Sequence, residues 1–186
     1  MLREQIEKYI PKCEQEKVDK KLILSFIDRN PDVLDRSNLA AHFTVSSIVV
    51  NQALTHVLFA FHNIYQSWAW LGGHNDGDSN LLKIALKEAS EETGVKYIVP
   101  YSEDIFILDV IYVKNHLKKQ AYIPDHLHLN ATFLLVADEQ EELVVKEDEN
   151  SGVKWFPIES VLEHVNEERM KSVYQKAFDE IAKLRK

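Results

Sequence analysis

Three glutamates, Glu88, Glu91 and Glu92, lie within five residues of one another in a stretch of helical composition. At positions i, i+3 and i+4 of a helix their carboxylates share one sector, and Glu88 and Glu92 stand one turn apart, about 6 Å along the axis. Like charges so placed repel, and near a helix C-terminus they also oppose the dipole. A solvated acidic face is the ordinary account of such a run. A divalent cation among the carboxylates would instead convert the repulsion into binding, and clustered oxygen ligands suit a hard ion such as Mg²⁺ or Mn²⁺. Two features favour the cation. Four of the five glycines in the chain (Gly72, Gly73, Gly77, Gly94) bracket this stretch, so the backbone there turns sharply or approaches something closely. Leu82, Ala85, Leu86 and Ala89 also recur on one face, which is expected to hold the helix against a core while Lys83, Lys87 and Ser90 face water.

The run Gly73-x5-Ser79-x7-Lys87-Glu88-Ala89-Ser90-Glu91-Glu92-Thr93-Gly94-Val95 resembles the Nudix box, G-x5-E-x7-R-E-U-x-E-E-x-G-U, in which U is a bulky aliphatic residue. The spacing is kept throughout the 23 residues, and both glycines, the three helical glutamates and the final aliphatic residue agree. Ser79 stands where the box has its first glutamate, Lys87 where it has arginine, and Ala89 where it has a larger aliphatic residue. The resemblance implies that Glu88, Glu91 and Glu92, with the Gly73 carbonyl, hold one or more Mg²⁺ or Mn²⁺ ions and carry the catalysis. It also assigns the missing glutamate and arginine to bracing, so Asp78 is expected to serve as a substitute carboxylate for Lys87.

These groups need elements to position them. Asp78, Ser79 and Asn80 are good N-caps for the helix, and Gly94 is a natural stop. Residues 1–38 read as a helical extension, with Pro11 breaking an early turn and Asn30-Pro31 ending the helix that carries Leu22, Ile23, Phe26 and Ile27. From His42 the composition turns β-branched and aromatic. Strands are expected over 43–50, 55–61, 105–114, 126–137 and 153–157, a turn at His62-Asn63, and a C-terminal helix over about 167–184. This order makes an α/β (α+β) fold, a mixed sheet between helices, with residues 39–186 as the Nudix-like part and 1–38 belonging to the same domain. Trp155-Phe156-Pro157-Ile158 is similar to the late strand-to-helix junction of the family and extends the likeness to about residues 42–166.

Other groups are weaker candidates. His74 and Asp76 follow Gly73 in a Gly-Gly-His-x-Asp-Gly variant of the box, either near substrate phosphates or as turn-formers. His126 and His128 fall on one face of a strand; a zinc pair lacks an obvious third ligand in the sequence, which leaves a substrate-pocket wall as the favoured reading. Glu147 and Glu149 lie in an acidic loop of the kind from which Nudix enzymes draw an extra ligand or general base. Trp68, Trp70 and Tyr122 are further pocket-wall candidates.

The chain has 186 residues, a net charge of −8 and one cysteine, Cys13. No apolar run spans a membrane, the acidic balance argues against nucleic acid, and the lone thiol fits a cytoplasmic protein. By resemblance the expected function is metal-dependent hydrolysis of a nucleoside diphosphate linked to another moiety, with a small nucleotide-type substrate and a homodimer as an option. The alternative is a catalytically weak or inactive nucleotide-binding module, motivated by the changes at Ser79 and Lys87. An isoprenoid-diphosphate isomerase would need a cysteine acid, a role for which Cys13 in the extension is poorly suited.

Overall fold

The computed structural model describes residues 2–118 and 121–185. Its elements are α1 (Leu2–Lys8), α2 (Glu14–Ile27), β1 (Ala41–Val50), β2 (His56–His62), β3 (Ser67–Ala69), β4 (Leu71–His74), α3 (Leu81–Thr93), β5 (Ile98–Pro100), β6 (Ile107–Val113), β7 (His116–Lys118), β8 (Ala121–Ile123), β9 (His126–Ala137), β10 (Asn150–Pro157), a 3₁₀ turn (Val161–His164) and α4 (Glu168–Leu184). The class is α+β. A mixed eight-stranded sheet runs β10-β2-β1-β9-β5, with β3 on β2, β4 on β1 and β6 on β9, while β7 and β8 form a separate hairpin. No described helix is long and apolar enough to cross a membrane.

The chain divides into two compact units, and β1, α3 and β9 each run from one into the other. The first holds residues up to 46, 73–84 and 103–133. Here α1 and α2 bury Ile6 and Ile23, and α2 packs on β6. The helix does more than cover the strand. Asp19 accepts the Val110 N–H at 2.9 Å and Lys12 donates to the Phe106 carbonyl at 2.5 Å, so side chains of the N-terminal segment occupy backbone groups that an edge strand would expose. On its other side β6 pairs antiparallel with β9 from Ile107↔Thr132 to Val113↔His126. Within this pair Asn130 is 1% exposed and fully used: its Oδ1 accepts from Thr44 (2.9 Å) and Ser46 (3.0 Å), and its Nδ2 donates to Thr132 (3.0 Å). The extension expected as helical to residue 38 is helical only to Ile27. The Asn30 amide closes α2 by donating to the Phe26 carbonyl at 2.9 Å, and turns follow as far as β1.

The second unit holds residues 47–72, 85–102 and those from 134 onward. Its helix α4 presents Met170, Tyr174, Ala177, Phe178 and Ile181, spaced three or four apart, as one buried stripe. Phe59 of β2 meets that stripe, its ring 5.1 Å from Tyr174 and 6.5 Å from Phe178. β10 pairs antiparallel with β2 from Asn150↔His62 to Pro157↔His56, with a bulge between Asn150 and Val153. Trp68 and Trp70, expected as pocket walls, are half-buried and take part in this packing. Trp68 meets Phe61 and Phe156 edge-on, and Trp70 meets Tyr174 in the same way.

Candidate active site

The helix that carries the glutamates is fixed at both ends. At its start Asn80 is the working cap, its Oδ1 accepting the Lys83 N–H at 3.1 Å. At its end Gly94 has φ +73°, a left-handed conformation that glycine adopts without strain, and its N–H bonds the Ser90 carbonyl at 2.8 Å. A Cβ on Gly94 would stand 2.6 Å from Cβ of Val144, whose N–H donates to the Thr93 carbonyl at 2.7 Å. The glycine therefore lets the segment around Val144 lie against the helix terminus.

The buried face of α3 is rotated from the expected one. Leu81, Ile84, Ala85, Ala89 and Thr93 are buried, Leu82 and Leu86 only half-buried, and Glu92 lies on the buried side at 4% exposure. Its two oxygens are used. Oε1 accepts the Gly72 N–H at 2.8 Å, and Oε2 accepts Nδ2 of Asn150, the first residue of β10, at 3.0 Å. Burial raises the Glu92 pKa to about 7; the two hydrogen bonds oppose the rise, and the charges of Glu149 and Glu88 add to it. Glu92 thus sits at the pH where a carboxyl can both accept and release a proton in neutral water.

Glu88 and Glu91 are handled differently. Lys87 lies 3.3 Å from Glu88 and 3.6 Å from Glu91, and Lys146 lies 3.9 Å from Glu91 and 3.1 Å from Glu149. Two ammonium groups therefore already stand among these carboxylates as cations. Glu149 is set by the β2–β3 turn, where Asn63 donates its N–H to the Glu149 carbonyl at 3.0 Å. All-oxygen donors with resident counter-cations fit a hard divalent ion. No three of these carboxylates converge at metal-ligand spacing.

The bracing expectation is corrected. Asp78 pairs with Lys83 at 3.0 Å and caps the Asn80 N–H at 2.9 Å, whereas Lys87 turns to Glu88 and Glu91. Asp78 lies ahead of α3 and meets Lys83 in the first turn of that helix rather than Lys87. Gly73 is the third residue of β4, directly after the Gly72 that holds Glu92.

The other candidates fall in the first unit. Asp76, in a left-handed turn at φ +46°, is gripped by Arg36 through two hydrogen bonds of 2.7 Å. His74, His126 and His128 come together with His42, which sequence reading passed over. The His42 ring centroid lies 5.0–5.2 Å from the other three, and Nε2 of His126 is 3.2 Å from Nε2 of His128. Burial lowers the pKa of His42, and burial with the neighbouring imidazoles puts that of His128 well below its ordinary value. Tyr122, on the β7–β8 hairpin, is exposed. His42 had one signal in the sequence: it is an ionisable residue in a strand that otherwise holds only apolar and hydroxyl side chains. Asn150 and Lys146, the direct partners of the glutamates, had none, because nothing local marks a residue that acts across 58 positions.

No curated protein matches the chain. Among solved structures, a hydrolase of the NUDIX family from Clostridium perfringens is 22% identical with a TM-score of 0.53, covering 74% of this chain and 96% of its own. An Ap4A hydrolase from C. elegans is 14% identical at a TM-score of 0.53, covering 72% and 93%. The E. coli dihydroneopterin triphosphate pyrophosphohydrolase is 12% identical at 0.55, covering 72% and 92%. At these identities the likeness is one of fold. The model of the NUDIX domain matches residues 41–177, which takes in every strand, the glutamate helix and the first ten residues of α4. By that match the chain belongs to the NUDIX family and is an enzyme of its pyrophosphohydrolase class.

Proposed function

We propose that this chain uses Mg²⁺ or Mn²⁺ to hydrolyse a nucleoside diphosphate linked to another moiety, cleaving a phosphoanhydride with water. The observation that carries the proposal is Glu92: a carboxylate buried on two hydrogen bonds, poised near pH 7, one residue from the exposed Glu91 and one turn from Glu88. A fold built only for stability gains nothing from burying a self-repelling acid at a helix end.

In this reading Glu88, Glu91 and Glu92 hold the divalent ion. When bound, it neutralises charge on the diphosphate oxygens and acidifies the attacking water. Lys87 and Lys146 keep the carboxylates from repelling one another until then and release them by swinging aside on flexible stems. Asn150 and the Gly72 N–H fix the Glu92 carboxylate in one orientation, and Glu149 supplies a further carboxylate beside Lys146. Glu149, a carboxylate outside that ligand set, takes up the proton of the water.

Incubation with a panel of nucleoside triphosphates, dinucleoside polyphosphates and nucleotide sugars, with Mg²⁺ or Mn²⁺, tests the proposal by chromatography of products. Wild type should release a nucleoside monophosphate or pyrophosphate from at least one class, and Glu91→Gln and Glu92→Gln should lose that release by several orders of magnitude. Tight nucleotide binding with no cleavage across the panel would establish a binding module instead.

A further inference from the structure

We propose that His42, His74 and His128 form a site for a zinc-class transition-metal ion, made only of imidazoles and lying wholly within the first unit. One ring nitrogen from each lies within 4.8 Å of the other two. Tetrahedral coordination at 2.0–2.1 Å requires nitrogens about 3.4 Å apart, so modest side-chain rotation closes the set. The three residues come from β1, β4 and β9, and among the described residues no other group of three His, Cys, Asp or Glu side chains converges in this way.

The tautomers favour the ion. His42 is 4% exposed, and its Nδ1 lies 3.0 Å from the Asn38 carbonyl, so Nδ1 carries the proton and Nε2 the lone pair. That Nε2 is buried and meets no hydrogen-bond donor. An orphaned buried acceptor costs about 1–3 kcal/mol, and a ring oriented by a backbone carbonyl is the outer-shell arrangement that metal-binding histidines use. The same device recurs next door. His126 donates from Nδ1 to the Pro124 carbonyl at 2.8 Å, which aims its Nε2 at His128 and holds that ring in place.

The donor set chooses the metal. The acids nearest in sequence are engaged elsewhere: Asp76 by Arg36, and Asp125 by the backbone N–H and amide of Asn115. With three imidazoles and no carboxylate in the converging set, the site suits Zn²⁺, Co²⁺ or Ni²⁺ and discriminates against the hard ions that oxygen ligands select. Three protein nitrogens leave a fourth position open to water or an anion. The ion would also cross-link residues 86 positions apart, stabilising the folded chain by mass action.

The test uses full-length protein stripped with chelator. Addition of Co²⁺ should give tetrahedral visible absorption saturating at one equivalent and abolished by Zn²⁺, and the Zn²⁺-induced rise in melting temperature should be lost in His42→Ala while any rise with Mg²⁺ is kept. His42→Ala and His128→Ala should each weaken binding by at least about 100-fold, more than the loss of an outer-shell partner costs. His116→Ala, whose ring is 6.5 Å from His126, should leave it unchanged. X-ray absorption of zinc-loaded wild type needs no variant to fold and should count three imidazoles. A count of two or fewer, absence of the cobalt bands, or wild-type affinity in His42→Ala would overturn the proposal.

Discussion

The buried carboxylate of Glu92 makes stability depend on pH in an unusual direction. Its pKa stands at 4.5 in an ordinary setting and at about 7 in the fold, so between those values the native state binds the extra proton. Stability therefore falls as pH rises through that window and carries the full penalty above it. At 1.36 kcal/mol per pH unit the penalty is about 3 kcal/mol. Glu92→Gln removes the charge but keeps the shape. Its amide oxygen still accepts the Gly72 N–H, while its NH₂ would face Nδ2 of Asn150. The Oδ1 of Asn150 is buried without a partner, so an amide flip there supplies the missing acceptor. Urea unfolding in chelator at pH 4.5, 6 and 8 measures the result. Wild type and variant should be similar at pH 4.5, and at pH 8 the variant should be more stable by up to about 3 kcal/mol, although its hydrolysis is lost. An equal difference at all three pH values, or a wild type that gains stability across the window, would refute the reasoning.

Removing Lys146 takes away an ammonium that competes for Glu91 and Glu149, so in Lys146→Met the Mg²⁺ concentration for half-maximal turnover should fall roughly two- to fivefold, the equivalent of a partly exposed ion pair. An unchanged metal titration would place the metal elsewhere. Asp78→Asn and Lys87→Met should be additive within about 0.5 kcal/mol in urea unfolding, because their partners are disjoint; strong coupling would restore the brace. Gly94→Ala should cost at least about 2 kcal/mol by denaturant midpoint, from left-handed strain and overpacking together. Adding Val144→Ala should not recover it, since Cβ and N of Val144 remain at 2.6 and 3.0 Å.

Much of this chain could be read in one dimension because its signals are local. Asn80 and Gly94 bound α3 by capping chemistry, and His126–Ala137 reads as a strand from composition and is one. The misreadings share a cause. Hydrophobic periodicity assigned the buried face of α3 to Leu82 and Leu86, because it has no means of expecting a carboxylate inside; Glu92 is buried only because Gly72 and Asn150 arrive from distant elements to bond it. The short strands β5, β7 and β8 have three residues each, too few to show alternation. His126 and His128 were legible as a pair, but the ring facing them comes from β1, 84 and 86 positions away. Asp78 was matched to Lys87 by analogy with the box, whereas the turn ahead of α3 brings it to Lys83 in the first turn of the helix.

Strand β1 has a consequence for the chain outside its native state. All ten of its residues are buried, and the sequence AHFTVSSIVV contains no lysine, arginine, aspartate or glutamate and no proline or glycine. Such composition is what a strand covered on both faces requires. It is also the composition of segments that stack into cross-β aggregates once exposed, with no gatekeeper charge inside the strand to interrupt them. Partial unfolding that frees β1 would lead to aggregation faster than to refolding, so heat inactivation should be irreversible and governed by the rate of opening rather than by equilibrium stability. Variants that loosen the sheet should then lose soluble yield well before they lose turnover per folded molecule.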